Sequence, residues 1–479
     1  MATDWIGLLP TLILAAGGTV IFCVGAFWRR RPVDVLFALA LITTVAAGAV
    51  ALLVNPGAAT SENLVDLGGF ARFFTCLIMA ITGLTVLFVR RYGRATGIVG
   101  DELYALLMFA ALGMVLVASA VNWVIFFLGL ELLSLALYVL IALRKGEALS
   151  NEAGLKYFIM GAVASGFLTF GIALLYALSG SLQILESLSA TSILSSAPVI
   201  LLALALILVG IGFKISLVPF HLWAPDVYQG APAPVTAFLA TGSKVALFAA
   251  LLRISLLAAD SVWAYGVPLF WVLALVTMVV GNLTALYQTQ VKRLLAYSSV
   301  AQMGYLLMTL LAVRQGGLPA LMFYLAVYAV MDLGAFGMVA TFSAGEADRD
   351  DLADYQGLGY SHPWRAAILA ACLISLAGLP PTAGFMGKLV LFRAVLDLHY
   401  YVLATIGMFT VLISIYYYMK VVVALYMQPQ AESAVIPGTD LGGHLAGAIV
   451  LAVILWLGLA PAPLLSLIAD IVAAWPKLT

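Results

Sequence analysis

Glu131, Lys156, Lys214, Lys244, Asp332 and Lys388 sit inside long apolar runs, and His221 follows close behind Pro219. One lysine in hydrocarbon costs roughly 2.5–3.5 kcal/mol on insertion scales, so such groups turn toward a bundle interior or a wet cavity. Left unpaired, the six charges would together cost on the order of 15–20 kcal/mol, more than the usual margin of a fold. They must therefore be paired, hydrated or partly neutral. Desolvation favours a neutral amine and a nearby carboxylate favours the ammonium, so a lysine held between the two exchanges its proton readily. The chemistry in view is a proton relay: titratable groups joined by a few waters.

The densest stretch is GIGFKISLVPFHLWAPDVYQGAPAPVTAFLATGSK, Gly210 to Lys244. An apolar helix carrying Lys214 breaks at Pro219, and a second apolar helix carries Lys244. Carbonyls freed by such a break are tolerated only where protein or water can satisfy them. The plain alternative is a proline kink with a snorkelling lysine. A second interrupted run, LAGLPPTAGFMGKLVLF, holds Pro380, Pro381 and Lys388. Glu131, near the middle of FFLGLELLSLALYVL, suits a partner that holds and releases Lys214, and it equally suits a structural ion pair that fixes helix register. His221 fits a proton shuttle and also a hydrogen-bonded structural histidine. Lys156 stands close enough to a helix start to snorkel, and Asp332 has no partner that the sequence identifies. Of Tyr416, Tyr417 and Tyr418, one is expected to face the bundle axis.

The 479 residues are 64% hydrophobic and 9% charged, with a mean hydropathy of +1.13. No water-soluble fold hides that much apolar surface, so the bilayer is the solvent. The formal charge is zero, which argues against a nucleic-acid partner. Cys23, Cys76 and Cys372 lie singly in apolar runs and are expected to pack in the core. Without a GxGxxG, Walker or CxxC motif, no metal, nucleotide, flavin or iron–sulfur cofactor is expected in this chain. The apolar run from Trp5 to Trp28, behind Asp4 rather than a basic segment, reads as a spanning helix and not a cleaved signal.

Apolar runs of spanning length predict an all-α polytopic membrane protein of about 14 transmembrane helices. Basic residues follow the first, third, fifth and ninth helices: Arg29–Arg31, Arg90 with Arg91 and Arg94, Arg144 with Lys145, and Lys292 with Arg293. By the positive-inside rule these loops are cytoplasmic, and both termini are periplasmic. The acidic stretch Glu346–Asp354 falls on the cytoplasmic side as a solvated connector or a docking strip. The interrupted runs 197–223 and 366–396 are each fourth in a set of five. That spacing predicts two inverted five-helix repeats, each with a broken helix. The expected division is 1–102, the repeats 103–258 and 259–430, and a C-terminal helix in 431–479.

From about residue 100 to 400, five motifs in this order resemble one family. They are GLELLSLALYVL, NEAGLKYFIMGAVASGFLTFGIALLY, KISLVPFHLWAPDVYQGAPAPVTAFLATGSK, KRLLAYSSVAQMGYLL and AGLPPTAGFMGK. Together they are similar to subunit N of respiratory NADH:quinone oxidoreductase, complex I. The resemblance implies an antiporter-like subunit that carries protons while other subunits, holding NAD, FMN, iron–sulfur clusters and quinone, move the electrons. Its partners would be other membrane subunits, especially a neighbouring antiporter-like one, in a bacterial inner membrane. Glu131 and Lys214 would form the key pair. Lys244 would be the central relay lysine and Lys388 the one nearer the exit, with Lys156 and His221 on the input side. In YSSVAQMGY, Gln302 stands where relatives often carry histidine, and glutamine does not titrate. A multisubunit cation/proton antiporter subunit and a passive membrane scaffold are the alternatives.

Overall fold

A computed structural model describes residues 5–28, 33–54, 60–61, 63–98, 100–189, 197–343, 348–429 and 441–474. Arg29–Arg31, Glu346 and both termini, which bear on orientation, lie outside the described residues. The described chain is almost wholly helical, apart from two short antiparallel strands, β1 (Thr60–Ser61) and β2 (Val65–Asp66). A backbone in hydrocarbon has no water to bond to, and the helix is the open-ended structure that satisfies it within one segment.

Among the described residues, eleven helices are long and apolar enough to cross a membrane. They begin with α1 (Leu9–Phe27), α2 (Val33–Leu53), α3 (Gly69–Thr96), α4 (Asp101–Ser119), α5 (Trp123–Ile141) and α6 (Ala148–Ser179). After the short α7 (Ile184–Ser189) come α8 (Ala197–Lys214) and α9 (Trp223–Gly230). The next span is built from α10 (Ala233–Phe238), a π-turn (Leu239–Ser243) and α11 (Lys244–Leu257). α12 (Asp260–Leu286), α13 (Val291–Leu310) and α14 (Leu318–Phe342) come next. The one-turn α15 (Leu358–Ser361) leads to α16 (Pro363–Ala377), α17 (Ala383–Leu396), α18 (Tyr401–Met427), α19 (Leu441–Leu459) and α20 (Ala462–Ala474). Adding α13 and the two interrupted spans, α8–α9 and α16–α17, to the eleven accounts for the 14 expected crossings. The α10–α11 span and α14 are innermost, their apolar windows being 100% and 94% buried.

Several boundaries differ from expectation. The C-terminal segment, expected to hold one helix, holds two: α19 stops at Leu459 and α20 begins at Ala462. Pro461 supplies no amide proton and disfavours helical backbone at Ala460. The first interruption begins before Pro219. Ser216 adopts the left-handed region (φ 61°); its amide donates to Phe213 O at 3.0 Å and the Leu217 amide to Gly212 O at 2.8 Å. This is a Schellman ending, which takes up carbonyls the stopped helix leaves open. α16 ends the same way: Gly378 sits at φ 84°, its amide donates to Ser375 O at 2.9 Å, and the Leu379 amide to Ile374 O at 3.2 Å. Cys23, expected in the core, is exposed on α1.

Close packing between helices depends on small residues, as is usual where apolar burial alone gives no preference for helix over lipid. A Cβ at Gly171 would lie 2.6 Å from Ala203 O, and one at Gly210 2.7 Å from Leu168 Cβ, so α6 and α8 touch backbone to backbone. At one end of the bundle Asp348 of the acidic stretch turns inward, while Asp351 stays in solvent. Asp348, 3% exposed, accepts from Arg144 at 2.9 Å and from Lys292 at 2.7 Å. It also accepts from Tyr92 at 2.8 Å, while Lys292 reaches Ala231 O at 3.2 Å. One carboxylate thereby joins the end of α3, the α5–α6 turn, the start of α13 and the segment after α14.

Burial works against charge on Asp348, but Lys292 and Arg144, helped by the Tyr92 hydroxyl, outweigh it and hold the carboxyl below its ordinary 3.8. A lowered acid contributes stability above its ordinary value and loses that contribution as pH falls through the lowered one. Asp348→Ala should therefore destabilise the protein by about 1–3 kcal/mol at neutral pH, because two buried cations lose their shared carboxylate and keep only Glu147 at 3.0 Å and Asp350 at 3.4 Å. Thermal melts of the detergent-solubilised assembly will show that deficit shrinking in acid, below the range where the wild-type carboxylate is ionised.

Candidate functional site

α5 presents Glu131, Ser134 and Tyr138 along one face, at the three- and four-residue steps that align on a helix. Lys214, the last residue of α8, is 2% exposed and points at that face. Its ammonium donates to Ser134 Oγ at 2.7 Å and to Tyr138 Oη at 3.4 Å. It also lies 4.9 Å from the Tyr157 ring centre and 5.2 Å from that of Tyr138, near enough for cation–π attraction. Glu131 accepts from Ser165 Oγ of α6 at 2.5 Å. Among the described residues Lys214 and Glu131 make no direct ion pair; Lys214 bonds instead to Ser134, one turn along α5 from the carboxylate, and Ser134 donates its own proton to Leu130 O at 2.6 Å. Gly161 permits the arrangement, since a Cβ there would fall 2.2 Å from the Tyr138 hydroxyl. Ser134, Tyr138 and Ser165 were not singled out from sequence, although the first two share Glu131's helical face.

Past the end of α8, Ser216 Oγ, His221 Nδ1 and Tyr228 Oη are buried with no hydrogen bond of good geometry among the described residues; Tyr228 faces Ser216 and Ser299, and His221 faces the Pro219 backbone. Buried polar atoms of this kind are where internal water is held. The Tyr228 ring lies 5.7 Å from the Lys244 ammonium, and its hydroxyl faces Ser216, two residues beyond Lys214.

Lys244 follows the π-turn and is fully buried. π-turns are rare and recur at functional positions. In this one Thr241 and Ser243 return their hydroxyls to Ala237 O and Leu239 O, at 2.7 and 2.6 Å. Lys244 Nζ donates to Ser299 Oγ of α13 at 2.5 Å. Ser299 shares a 2.6 Å bond with Tyr328 of α14, and Tyr328 donates to Asp332 Oδ2 at 3.0 Å. The cation that Asp332 lacked in the sequence is Lys244, reached across two hydroxyls.

Lys388, on α17, is 4% exposed and caps the broken α16. Its ammonium donates to Leu376 O at 2.8 Å and Ala377 O at 3.1 Å, beside the negative end of that helix. Gly378 makes room: a Cβ there would sit 2.8 Å from Lys388 Cδ. A cleft of about 840 Å³ between α17 and α18, lined by Phe385, Phe392 and Phe409 among others, reaches this lysine. Between Lys244 and Lys388 stands Gln302. It accepts from the Tyr324 hydroxyl and donates to Tyr418 at 3.3 Å and, more loosely, to Leu376 O at 3.5 Å.

Two expectations need correction. Lys156 is not an interior charge. It is 41% exposed, pairing with Glu152 at 2.6 Å and Asp226 at 2.9 Å, and Asp226 in turn holds Arg293 at 2.7 Å. Its place near the start of α6 lets its long stem reach this rim network. In the tyrosine triplet, Tyr417 and Tyr418 are both fully buried and Tyr416 is 66% exposed. Because α18 packs against α12, α13 and α16, its inward arc is wide enough for two successive residues. Tyr417 donates to Asn282 Oδ1 at 3.1 Å, and Tyr418 bonds Ser298.

Residues 120–414 match the family described as NADH:quinone oxidoreductase/Mrp antiporter, TM. The chain is 46% identical to NADH-quinone oxidoreductase subunit N 1 of Solidesulfovibrio magneticus, over 98% of this chain and 99% of that one. It is 42% identical to subunit N of Geotalea uraniireducens, again over 98% of this chain and 99% of that one. Among solved structures, a chain of respiratory complex I from Thermus thermophilus, determined with bound aureothin, is similar at 35% identity with a TM-score of 0.79, covering 95% of this chain and 98% of that one. A chain of the Mrp complex from Dietzia sp. DQ12-45-1b shares the fold, with a TM-score of 0.83 at 22% identity over 98% of this chain and 97% of that one. On these matches, the chain belongs to the NADH-quinone oxidoreductase subunit N family of multi-pass, antiporter-like membrane subunits.

Proposed function

We propose that this chain moves protons across a bacterial inner membrane as a membrane-arm subunit of NADH:quinone oxidoreductase. Electron transfer from NADH to quinone runs through cofactors held by other subunits, and this chain contributes no redox centre. The observation that carries the reading is the company of the three buried lysines. Lys214, Lys244 and Lys388 bond to serine and tyrosine hydroxyls or to carbonyls at a helix break, and none makes a direct ion pair among the described residues. A neutral acceptor holds an ammonium without locking it, so a proton can leave without rupturing a salt bridge. Moving one charge through 100 mV takes about 2.3 kcal/mol, within reach of a changed contact at one such lysine.

In this reading Glu131 sets the charge of Lys214 electrostatically, from one turn along α5. His221 and the hydroxyls of Ser216 and Tyr228 carry the link onward to Lys244, and Lys388 serves the far end. Lys156 acts from the rim as an entry-side cation. The inverted repeats are 103–258 and 259–430, flanked by 1–102 and 431–479; the matching Schellman endings in the fourth span of each support that division. The loops joined by Asp348 and by Asp226 face the cytoplasm, and both termini are periplasmic. The clustering of Arg144, Lys292 and Arg293 at one end of the bundle supports that orientation.

Lys214→Ala or Glu131→Ala should lower proton pumping and coupled NADH:quinone turnover about tenfold, the effect of 1.36 kcal/mol on a barrier, in complexes that still assemble. Proton uptake into vesicles containing the purified complex measures this. Unchanged pumping in an assembled variant rejects the proposal, and sodium-driven transport without NADH oxidation points to cation antiport instead. Gly378→Ala should destabilise by roughly 1–2 kcal/mol, since an L-residue must enter the left-handed region. It should also reduce pumping by pushing Lys388 off the Leu376 and Ala377 carbonyls; vesicle pumping and thermal melts read the two effects separately.

A further inference from the structure

We propose that Asp332 is the proton acceptor for Lys244, reached through Ser299 and Tyr328. The inference rests on the transport reading above and adds to it a residue and a direction of transfer. Lys244, Ser299, Tyr328 and Asp332 are all fully buried. They form an unbroken series of bonds of 2.5, 2.6 and 3.0 Å across three spans, α10–α11, α13 and α14. An ionised carboxylate at such depth is stable only with a compensating charge or bonds. Among the described residues, the only cation bonded into this series is Lys244.

The bridging groups are hydroxyls, and each can accept a proton on one side while releasing one on the other. An N–H proton of Lys244 passes to Ser299 Oγ, the Ser299 hydroxyl proton passes to Tyr328 Oη, and the Tyr328 proton passes to Asp332 Oδ2. Serine and tyrosine each finish with one proton, as they began. The ammonium–carboxylate pair becomes an amine and a carboxylic acid, so both buried charges vanish in one event. Net charge is unchanged, and no uncompensated ion is left in the bilayer interior.

Two further details suit a relay better than a static pair. Tyr328 has one proton and two acceptors, Asp332 Oδ2 at 3.0 Å and Ala240 O at 2.9 Å. Ala240 belongs to the π-turn that leads into Lys244. Once Asp332 is protonated it no longer draws that proton, and the tyrosine hydroxyl turns to the carbonyl, which opens the series. Asp332 Oδ1, by contrast, is buried with no hydrogen-bond partner. Once the protonated carboxyl turns about its Cβ–Cγ bond, the proton received on Oδ2 takes up that open position and can depart through water without retracing the hydroxyls.

The test uses the assembled complex in vesicles, measuring protons taken up per NADH oxidised for Asp332→Asn, Asp332→Glu and Tyr328→Phe. Asparagine and phenylalanine should each cut pumping roughly tenfold or more, while glutamate, which can still hold a proton, should recover most of it. Infrared difference spectra of the working complex should contain a protonated-carboxyl signal that disappears in Asp332→Asn. If Asp332→Asn pumps normally while Lys214→Ala does not, Asp332 is structural and the inference falls, with the transport reading intact. If both pump normally, the transport reading falls with it. Should Asp332→Asn fail to assemble, Tyr328→Phe, which removes only a hydroxyl, decides by the same ratio: normal pumping overturns the inference.

Discussion

A helix that stops partway through a bilayer leaves carbonyls facing a solvent that cannot bond them, and the interior of this protein is arranged around meeting that demand. At the end of α16, Gly378 and Leu379 turn their amides back on the helix, and Lys388 takes the remaining carbonyls of Leu376 and Ala377. At the end of α8, Ser216 and Leu217 make the same turn, and the Trp223 indole donates to Phe213 O at 2.8 Å. Each interruption is thereby closed locally. Each also leaves a lysine beside it, fixed in place yet bonded only to neutral groups.

That combination resolves the difficulty of burying cations. A lysine matched to a carboxylate at contact distance is held, and one without polar neighbours would not stay charged. Lys214 and Lys244 fall between these limits: Lys244 reaches Asp332 only across two hydroxyls, and Lys214 bonds hydroxyls rather than Glu131. Serines contributed by α5 and α13 and tyrosines by α5 and α14 form a polar lining no wider than a side chain. Fully bonded networks of this kind gain strength in a low-dielectric interior, and the few unpartnered atoms along them gather near the middle.

The lining holds its shape because the helices around it are tightly fixed. Glycines let α6 and α8 meet at backbone distance, so Lys214 is presented to α5 from a rigid support. At one end Asp348 gathers Tyr92, Arg144 and Lys292, joining segments far apart in the chain. Because α13 starts at that knot and also carries Ser299 and Gln302, the ion cluster and the central hydroxyl series share one rigid element.

The sequence alone determined the features that local pattern dictates. Spanning runs, the approximate crossing number, the two interruptions and the depth of Lys214, Lys244 and Lys388 are all consequences of apolar run length and proline position. Both breaks could be placed to within a few residues, though not the turn at Ser216, whose left-handed backbone has no glycine to announce it. Partnership was the part only the tertiary structure decided. Asp332 meets Lys244 through Tyr328 on its own helix and Ser299 on another, and Lys214 bonds to Ser134 rather than to Glu131. Lys156 turns out to the rim, Asp348 turns in, and both Tyr417 and Tyr418 are enclosed. In a chain this apolar, helix periodicity says little about which face looks inward, since lipid and protein are equally oily surroundings. A helix's neighbours, and hence the bonds its polar side chains make, depend on how the bundle packs.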